Sequence, residues 1–183
     1  MSPLEFAQWV QSSGWATALR GSSYIYPVLL SSHLTGIALF AGAILVTDLR
    51  LLGVVLRNHP VSEVIQQSRV LKRIGFVIVV TCGVLLASSK AEEYYYNAFF
   101  RAKLALLVLV ALHALVFRGG VYNNGAALDQ AKRIPGQARL AGALSLILWI
   151  SIACMGRGIG YIEPPLDKLH AKLHAGFTAA RPE

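Results

Sequence analysis

The sequence predicts an all-α integral membrane protein, a four-helix transmembrane bundle with an N-terminal interfacial helix and a short C-terminal amphipathic helix. Hydrophobic residues make up 55% of the 183-residue chain and charged residues only 14%, whereas soluble domains contain about 25% charged residues. Long apolar runs recur along the chain and most charges lie between them. The stretch 24–47 carries no Asp, Glu, Lys or Arg and exceeds the roughly 20 apolar residues that cross a bilayer.

The N-terminal segment is predicted to lie on the membrane surface before the first crossing. Residues 4–19 mix apolar side chains, including Trp9 and Trp15, with polar ones, which is typical of helices in the membrane interface. No basic segment leads into an apolar core here, so we expect no cleavable signal peptide. The first span is predicted at about residues 24–56, with Pro27 in its first turn, where a missing amide hydrogen costs little.

Three further spans are predicted at about residues 70–89, 102–117 and 138–157. Segment 90–101 contains four charged and five aromatic residues, the composition of an interfacial loop. Residues 1–160 would then form a single four-span domain, and residues 161–183 an extramembrane tail with a short amphipathic helix. Asp48 and Arg50 are expected to be ordinary boundary charges at the end of span one. The alternative is that they pair with each other or with Arg118.

The charge pattern favours lipid over nucleic acid as a partner. The formal net charge is +8, but Lys and Arg lie at the ends of apolar runs, where they meet lipid headgroups. The loops after spans one and three carry nine Lys and Arg residues and the opposite side eight, three of them in the tail. Because charges close to the spans set orientation, we expect both termini on the periplasmic side of a bacterial inner membrane.

His33 and His113 are the leading candidate site residues, because ionisable rings inside apolar spans normally face protein, water or a bound group. A rise of ~1.5 Å per residue puts His33 roughly 13 Å and His113 roughly 16 Å below the same boundary. Two imidazoles at one depth on different helices could ligate the iron of a b-type haem. Gly36, close to His33 on the helix, would let a macrocycle approach. Lys103 and Arg101 would offset its propionates.

The leading interpretation is therefore a haem-binding electron-transfer or redox-accessory subunit, working with other membrane subunits or as a homo-oligomer. We see no buried carboxylate pair, nucleophile with a base, or phosphate loop, so an autonomous enzyme is not favoured. One alternative is a cofactor-free structural or accessory subunit, in which the histidines hydrogen-bond to Ser or Thr on neighbouring helices.

A second alternative is copper handling. Cys82, Cys154 and Met155 are soft donors that suit copper(I), although buried thiols are more often packing residues. His170 and His174 lie four residues apart in the tail and could hold a metal, but two ligands make a weak site. A tail helix that docks onto the membrane or a partner is favoured.

Three segments carry a resemblance to a known family. They are HLTGIALFAG at 33–42, DLRLLG at 48–53 and FRAKLALL at 100–107. They resemble an uncharacterised family of small four-helix bacterial inner-membrane proteins, over roughly residues 9–160. The first-helix histidine, the small residues and the later arginine are more distantly similar to membrane protoporphyrinogen oxidases and copper-resistance D-type proteins. That similarity implies a haem- or copper-linked role for His33.

Overall fold

A computed structural model describes residues 1–131, 133–162 and 164 of the chain. The predicted tail helix, with His170 and His174, lies outside these residues. All regular structure in the described residues is helical, which confirms the all-α prediction. The α-helices are α1 (Pro3–Ser12), α2 (Gly14–Gly21), α3 (Ile25–Leu52), α4 (Val61–Ser89), α5 (Ala91–Tyr96), α6 (Ala98–Phe117), α7 (Gly125–Gln130) and α8 (Gly136–Ile159), with a π-helical turn, Arg118–Tyr122, after α6.

Four described helices are long and apolar enough to cross a membrane: α3, α4, α6 with its π-helical extension, and α8. The prediction of four spans is confirmed, and the chain is a multi-pass membrane protein. The 28 residues of α3 extend about 42 Å at ~1.5 Å per residue. This exceeds the ~30 Å hydrocarbon core, so the ends of α3 reach the membrane surfaces.

Several helix boundaries differ from the predicted spans, the largest difference being the start of α4 at Val61 in place of about residue 70. Two of the differences have clear local chemical reasons. α3 ends at Leu52 because Gly53 takes a left-handed conformation, with φ of 75°, which glycine adopts readily and which ends helices. α6 begins at Ala98, four residues earlier than predicted, because the Asn97 side chain accepts a hydrogen bond from the backbone three residues on. Such a cap satisfies an amide that has no partner within the helix.

The spans pack in a row in the order α4, α3, α8, α6, with α3 packed against α4 and α8, and α8 against α6. Glycines bring α3 and α4 close together. A Cβ atom added at Gly36 would lie 2.7 Å from Ile78, and one added at Gly75 would lie 2.9 Å from Phe40. Small residues of this kind allow membrane helices to pack closely. α3 and α8 therefore occupy the middle of the row.

Short helices pack against the spans at the two faces of the bundle where the spans begin and end. We call the end where α3 and α6 begin the terminal side, and the opposite end the loop side. On the terminal side, Arg20 of α2 donates to the carbonyl oxygen of Ser89 at 2.6 Å, and Gln8 of α1 donates to Glu92 at 2.8 Å. Glu92 belongs to α5, which forms where the sequence predicted a loop. α1 and α2 are thereby fixed to the ends of the spans.

On the loop side, α7 packs against the start of α4. Asp129 of α7 accepts hydrogen bonds from the backbone amides of Val61 and Ser62, at 2.5 and 3.3 Å. A carboxylate at a helix N-terminus satisfies free amides and complements the helix dipole. Arg50 donates from Nε and Nη2 to the carbonyl oxygen of His59, at 3.0 and 2.8 Å. These bonds hold the α3–α4 connection in place.

Candidate functional site

Asp48, in the last turn and a half of α3, is the least exposed charged residue in the described part of the chain. Only 1% of its surface is exposed. Its Oδ2 atom is buried and accepts no hydrogen bond from any described residue. Burying a carboxyl without full hydrogen bonding is costly, so residues of this kind inside spans are rare and usually functional. The prediction that Asp48 and Arg50 are ordinary boundary charges is wrong, because both residues are buried, at 1% and 8% exposed.

The small residues of α8 explain how Asp48 is buried. A Cβ atom added at Gly142 would lie 2.9 Å from the carbonyl oxygen of Asp48 and 3.2 Å from Cβ of Leu51. The missing side chain lets α8 come close to α3 at this level. Ser145, three residues further along α8, is 4% exposed. It lies close enough to interact with the side chains of both Asp48 and Tyr122.

Lys72 brings a positive charge to the same region from α4. Its Nζ donates to Oγ1 of Thr47 at 2.6 Å, and Thr47 in turn donates to the carbonyl oxygen of Ala43 at 2.9 Å. The ammonium acts electrostatically on Asp48. The ion pairs between described residues are His59–Glu63 and Lys90–Glu93, so Lys72 and Asp48 form no direct pair. The ammonium is held beside the carboxyl through the neighbouring threonine.

The π-helical turn after α6 brings Tyr122 to this cluster. Such turns are uncommon and frequently occur at functional sites. The ring of Tyr122 lies 6.2 Å from the ring of His113, which lies 4.9 Å from the ring of Phe117. His113 Nε2 is 3.0 Å from the carbonyl oxygen of Ala141. Because a carbonyl oxygen only accepts hydrogen bonds, Nε2 carries the hydrogen, and His113 ties α6 to α8 beside the site.

We call Thr47, Asp48, Lys72, Tyr122 and Ser145 the loop-side cluster. Its members come from α3, α4, the π-helical turn and α8. The cluster brings together a carboxyl, an ammonium, a phenol and two alcohols. Each of these groups can donate or accept a proton or a hydrogen bond. Chemically, the arrangement is suited to proton exchange at a carboxyl that is shielded from bulk water.

His33 lies near the other end of the spans. A Cβ atom added at Gly83 of α4 would be 3.0 Å from Cε1 of its ring. Its Nδ1 is buried and has no hydrogen-bond partner among the described residues. Lys103 of α6 acts electrostatically on His33, and its Nζ would lie 3.6 Å from a Cβ atom added at Gly156 of α8. The structure brings His33 and Lys103 together on the terminal side.

The structure does not bring His33 and His113 together. His113 follows Lys103 by ten residues on α6, which is about 15 Å along the helix axis. The depths of His33 and His113 below the terminal-side boundary agreed in the sequence prediction because span three was assumed to start at residue 102. Since α6 begins at Ala98, His113 lies deeper than predicted and the two depths no longer agree. Gly36 packs against Ile78 of α4, and Arg101 is exposed. A shared haem site stays a prediction.

The soft donors lie on two helices that flank α3. Cys82 of α4 is buried, whereas Cys154 of α8 is exposed and Met155 is half-buried. In residues 1–131, 133–162 and 164, no three His, Cys, Asp or Glu side chains are grouped so as to hold a metal ion. Copper binding also stays a prediction.

The loop-side cluster was missed because its charged members lie near span ends, where Asp and Lys are ordinary boundary residues. A signal was present in the spacing along α8. Gly142 and Ser145, three residues apart, define a small and polar face in the largely apolar first half of the α8 span. Such a face favours a close helix neighbour that carries a polar group.

Comparison with known proteins gives one match. A family model described as a family of unknown function, DUF6644, matches residues 6–162, which include all four spans. No curated protein and no solved structure matches the chain. The match confirms the predicted membership of an uncharacterised family. The more distant similarity to protoporphyrinogen oxidases and copper-resistance D-type proteins stays a prediction.

Proposed function

We propose that this chain, which belongs to the DUF6644 family of unknown function, is a proton-exchange protein of the bacterial inner membrane: a buried carboxyl in its helix bundle takes up and releases protons. Asp48 is the group that gains and loses the proton. The observation that carries this proposal is the burial of the Asp48 carboxyl, 1% exposed, with Oδ2 lacking any described partner. A carboxyl withdrawn from water exchanges its charge for a proton at modest cost.

The neighbours of Asp48 support reversible exchange. When the carboxyl is ionised, the nearby ammonium of Lys72 offsets its charge. When it is protonated, Lys72 keeps its own hydrogen bond to Thr47, 2.6 Å long, and is not left unsatisfied. The hydroxyls of Ser145 and Tyr122 provide alternative hydrogen-bond partners for either state. A direct ion pair would instead favour the ionised form.

A proton fits this site better than a metal cation does. Hard cations such as calcium take about six to eight oxygen ligands, several of them carboxylates. Asp48 is a single carboxyl, and Lys72 would repel a second positive ion. The described residues offer no group of three His, Cys, Asp or Glu for a metal. The proton needs one basic oxygen atom only.

Protons would reach Asp48 from the loop side. Asp48 lies four residues before the end of α3, about 6 Å along the helix axis. Toward the terminal side, the ring of Phe40 contacts the rings of Phe76 and Trp149, with centroid distances of 5.8 and 5.2 Å. This aromatic layer separates Asp48 from His33. With periplasmic termini, as the charge distribution favours, exchange would take place with the cytoplasm.

The proposal is tested by infrared spectroscopy of the reconstituted protein over a pH titration. We expect the C=O stretching band of a protonated, shielded carboxyl, absent from Asp48→Asn. Asp129→Asn removes an exposed carboxyl and serves as the matched control, which should keep the band. A spectrum without such a band at any pH at which the protein stays folded, or an identical band in Asp48→Asn, refutes the proposal.

A second candidate function is electron transfer through a b-type haem held by His33, in a subunit of a larger membrane assembly. It is favoured by the buried, unpartnered Nδ1 of His33 and by the charge of Lys103 nearby, which suits a propionate. A Soret absorption band lost in His33→Ala supports it. Copper in metal analysis without a Soret band favours copper handling, and the absence of both favours a cofactor-free subunit.

A further inference from the structure

A groove between α3 and α4 opens toward the lipid near the terminal side. Its volume is about 720 Å³, within the range of roughly 300–1,000 Å³ that is usual for small-molecule sites. Most of its lining is apolar, with four hydroxyl groups distributed over the two helices. They belong to Ser31, Ser32, Thr35 and Thr81. The groove is distinct from the loop-side cluster, which lies at the other end of α3.

None of these four hydroxyls has a hydrogen-bond partner among the described residues, whereas those of Thr47 and Ser151 in the same bundle do. Thr47 and Ser151 each donate to the carbonyl oxygen four residues earlier, at 2.9 and 2.8 Å. Hydrocarbon chains offer no partner for a polar group. Four such hydroxyls on one groove offer hydrogen-bond donors to an occupant that accepts them.

The charge and depth of the groove restrict the occupant. Its lining includes no Lys, Arg, Asp or Glu, so nothing there would bind a phosphate or another ionised headgroup. Ser31 and Thr35 lie six and ten residues after the start of α3, about 9 and 15 Å along the helix axis. That depth lies below the headgroups. The matching ligand is a neutral, lipid-soluble molecule with carbonyl acceptors.

We propose that this groove binds a membrane quinone. The ring carbonyls accept hydrogen bonds from Thr35 of α3 and Thr81 of α4, which line the groove from its two helices, and the apolar tail lies in the lipid. Ser31, one turn from Thr35, offers a further donor on the same side. This site goes beyond the proposed proton exchange and does not depend on Asp48.

The test uses protein in nanodiscs of phosphatidylethanolamine and phosphatidylglycerol with a photoreactive azido-quinone. We expect labelling of peptides that contain residues 27–35 and 77–82. Affinity for decyl-ubiquinone is measured in the same nanodiscs. The double variant Thr35→Val, Thr81→Val keeps the side-chain shape but removes two donors, and we expect binding about 5- to 100-fold weaker.

Two controls show whether a loss of affinity is specific to the hydroxyls of the groove. Ser151→Ala removes a hydroxyl that is bonded within its own helix and should not change the affinity. Asp48→Asn should not change the affinity for decyl-ubiquinone either. A failure of the proton-exchange proposal would therefore leave the quinone-site proposal intact. If the double variant does not fold, as judged by helical circular dichroism, Ser31→Ala and Thr35→Val are measured singly.

Several outcomes would overturn the quinone site. They are the absence of labelling in the two segments and unchanged affinity in folded variants. A third is weaker quinone binding when the share of phosphatidylglycerol in the nanodisc is raised, because the groove would then bind that lipid. Disulfide cross-linking of Thr81→Cys between two copies of the chain in the presence of saturating quinone would also overturn the quinone site, because this exposed position of the groove would then be a subunit contact.

Discussion

Lys72 and Thr47 are joined by a hydrogen bond of 2.6 Å from Nζ to Oγ1, which sets an ammonium beside Asp48 without a direct ion pair. α4 supplies the ammonium, whereas α3 supplies both the hydroxyl and the carboxyl. The packing of these two helices therefore determines the electrostatic environment of the site. The cluster can be probed through this bond without altering the carboxyl.

Thr47→Val should destabilise the protein, because Lys72 would lose its acceptor while it stays partly buried. We expect a decrease of about 1–3 kcal/mol in the free energy of unfolding, measured by denaturant titration in mild detergent. Thr35→Val is the matched control, since its hydroxyl is exposed and has no described partner. Equal effects of the two substitutions would contradict this account of Lys72.

Gly142→Ala should disrupt the contact between α3 and α8. The added methyl group would lie 2.9 Å from the carbonyl oxygen of Asp48, which is backbone and has little freedom to move. Overpacking of this kind costs about 1–3 kcal/mol. Gly42→Ala on α3 has no atom within 4 Å of the new methyl group and should be neutral or slightly stabilising. Thermal unfolding of both variants tests the contrast.

Asp129→Asn should lower stability at neutral pH only. Burial raises the pKa of Asp129, but hydrogen bonds from Ser62 and Val61 and the charge of Arg50 together outweigh it, so the pKa lies below its ordinary value. A depressed pKa stabilises the fold above the unfolded value, about 3.9, and this stabilisation disappears as pH falls through the folded value. Thermal midpoints of wild type and variant should therefore differ at pH 7 and converge at low pH. A constant difference would contradict the role of the charge.

His113→Phe should weaken the contact between α6 and α8 while keeping a ring against Phe117. The lost bond from Nε2 to the Ala141 carbonyl, 3.0 Å long, leaves a carbonyl oxygen without its side-chain donor. We expect a loss of about 0.5–1.5 kcal/mol in unfolding free energy. In a preparation that shows a Soret band, this variant should keep it if His33 is the only histidine ligand. Loss of that band without loss of stability would support the two-histidine site.

The number and approximate positions of the spans could be predicted from sequence, because lipid imposes a length and a composition on every crossing. The depth of His113 could not be predicted, since it depends on a cap at Asn97 that starts α6 earlier than its apolar run indicates. The burial of Asp48 could not be predicted for a different reason. Whether a residue near the end of a span faces water or protein depends on its neighbours in space, here Gly142 of α8.

The aromatic layer formed by Phe40, Phe76 and Trp149 also bears on membrane energetics. An electric field concentrates where the medium is least polarisable, so most of the transmembrane voltage should fall between the two polar ends of the bundle. One elementary charge that crosses the full voltage gains about 2.3 kcal/mol per 100 mV. A proton that arrives at Asp48 from the loop side crosses little of that drop. The fraction of Asp48 that is protonated should therefore depend on the pH of the compartment on the loop side and be nearly independent of the membrane potential.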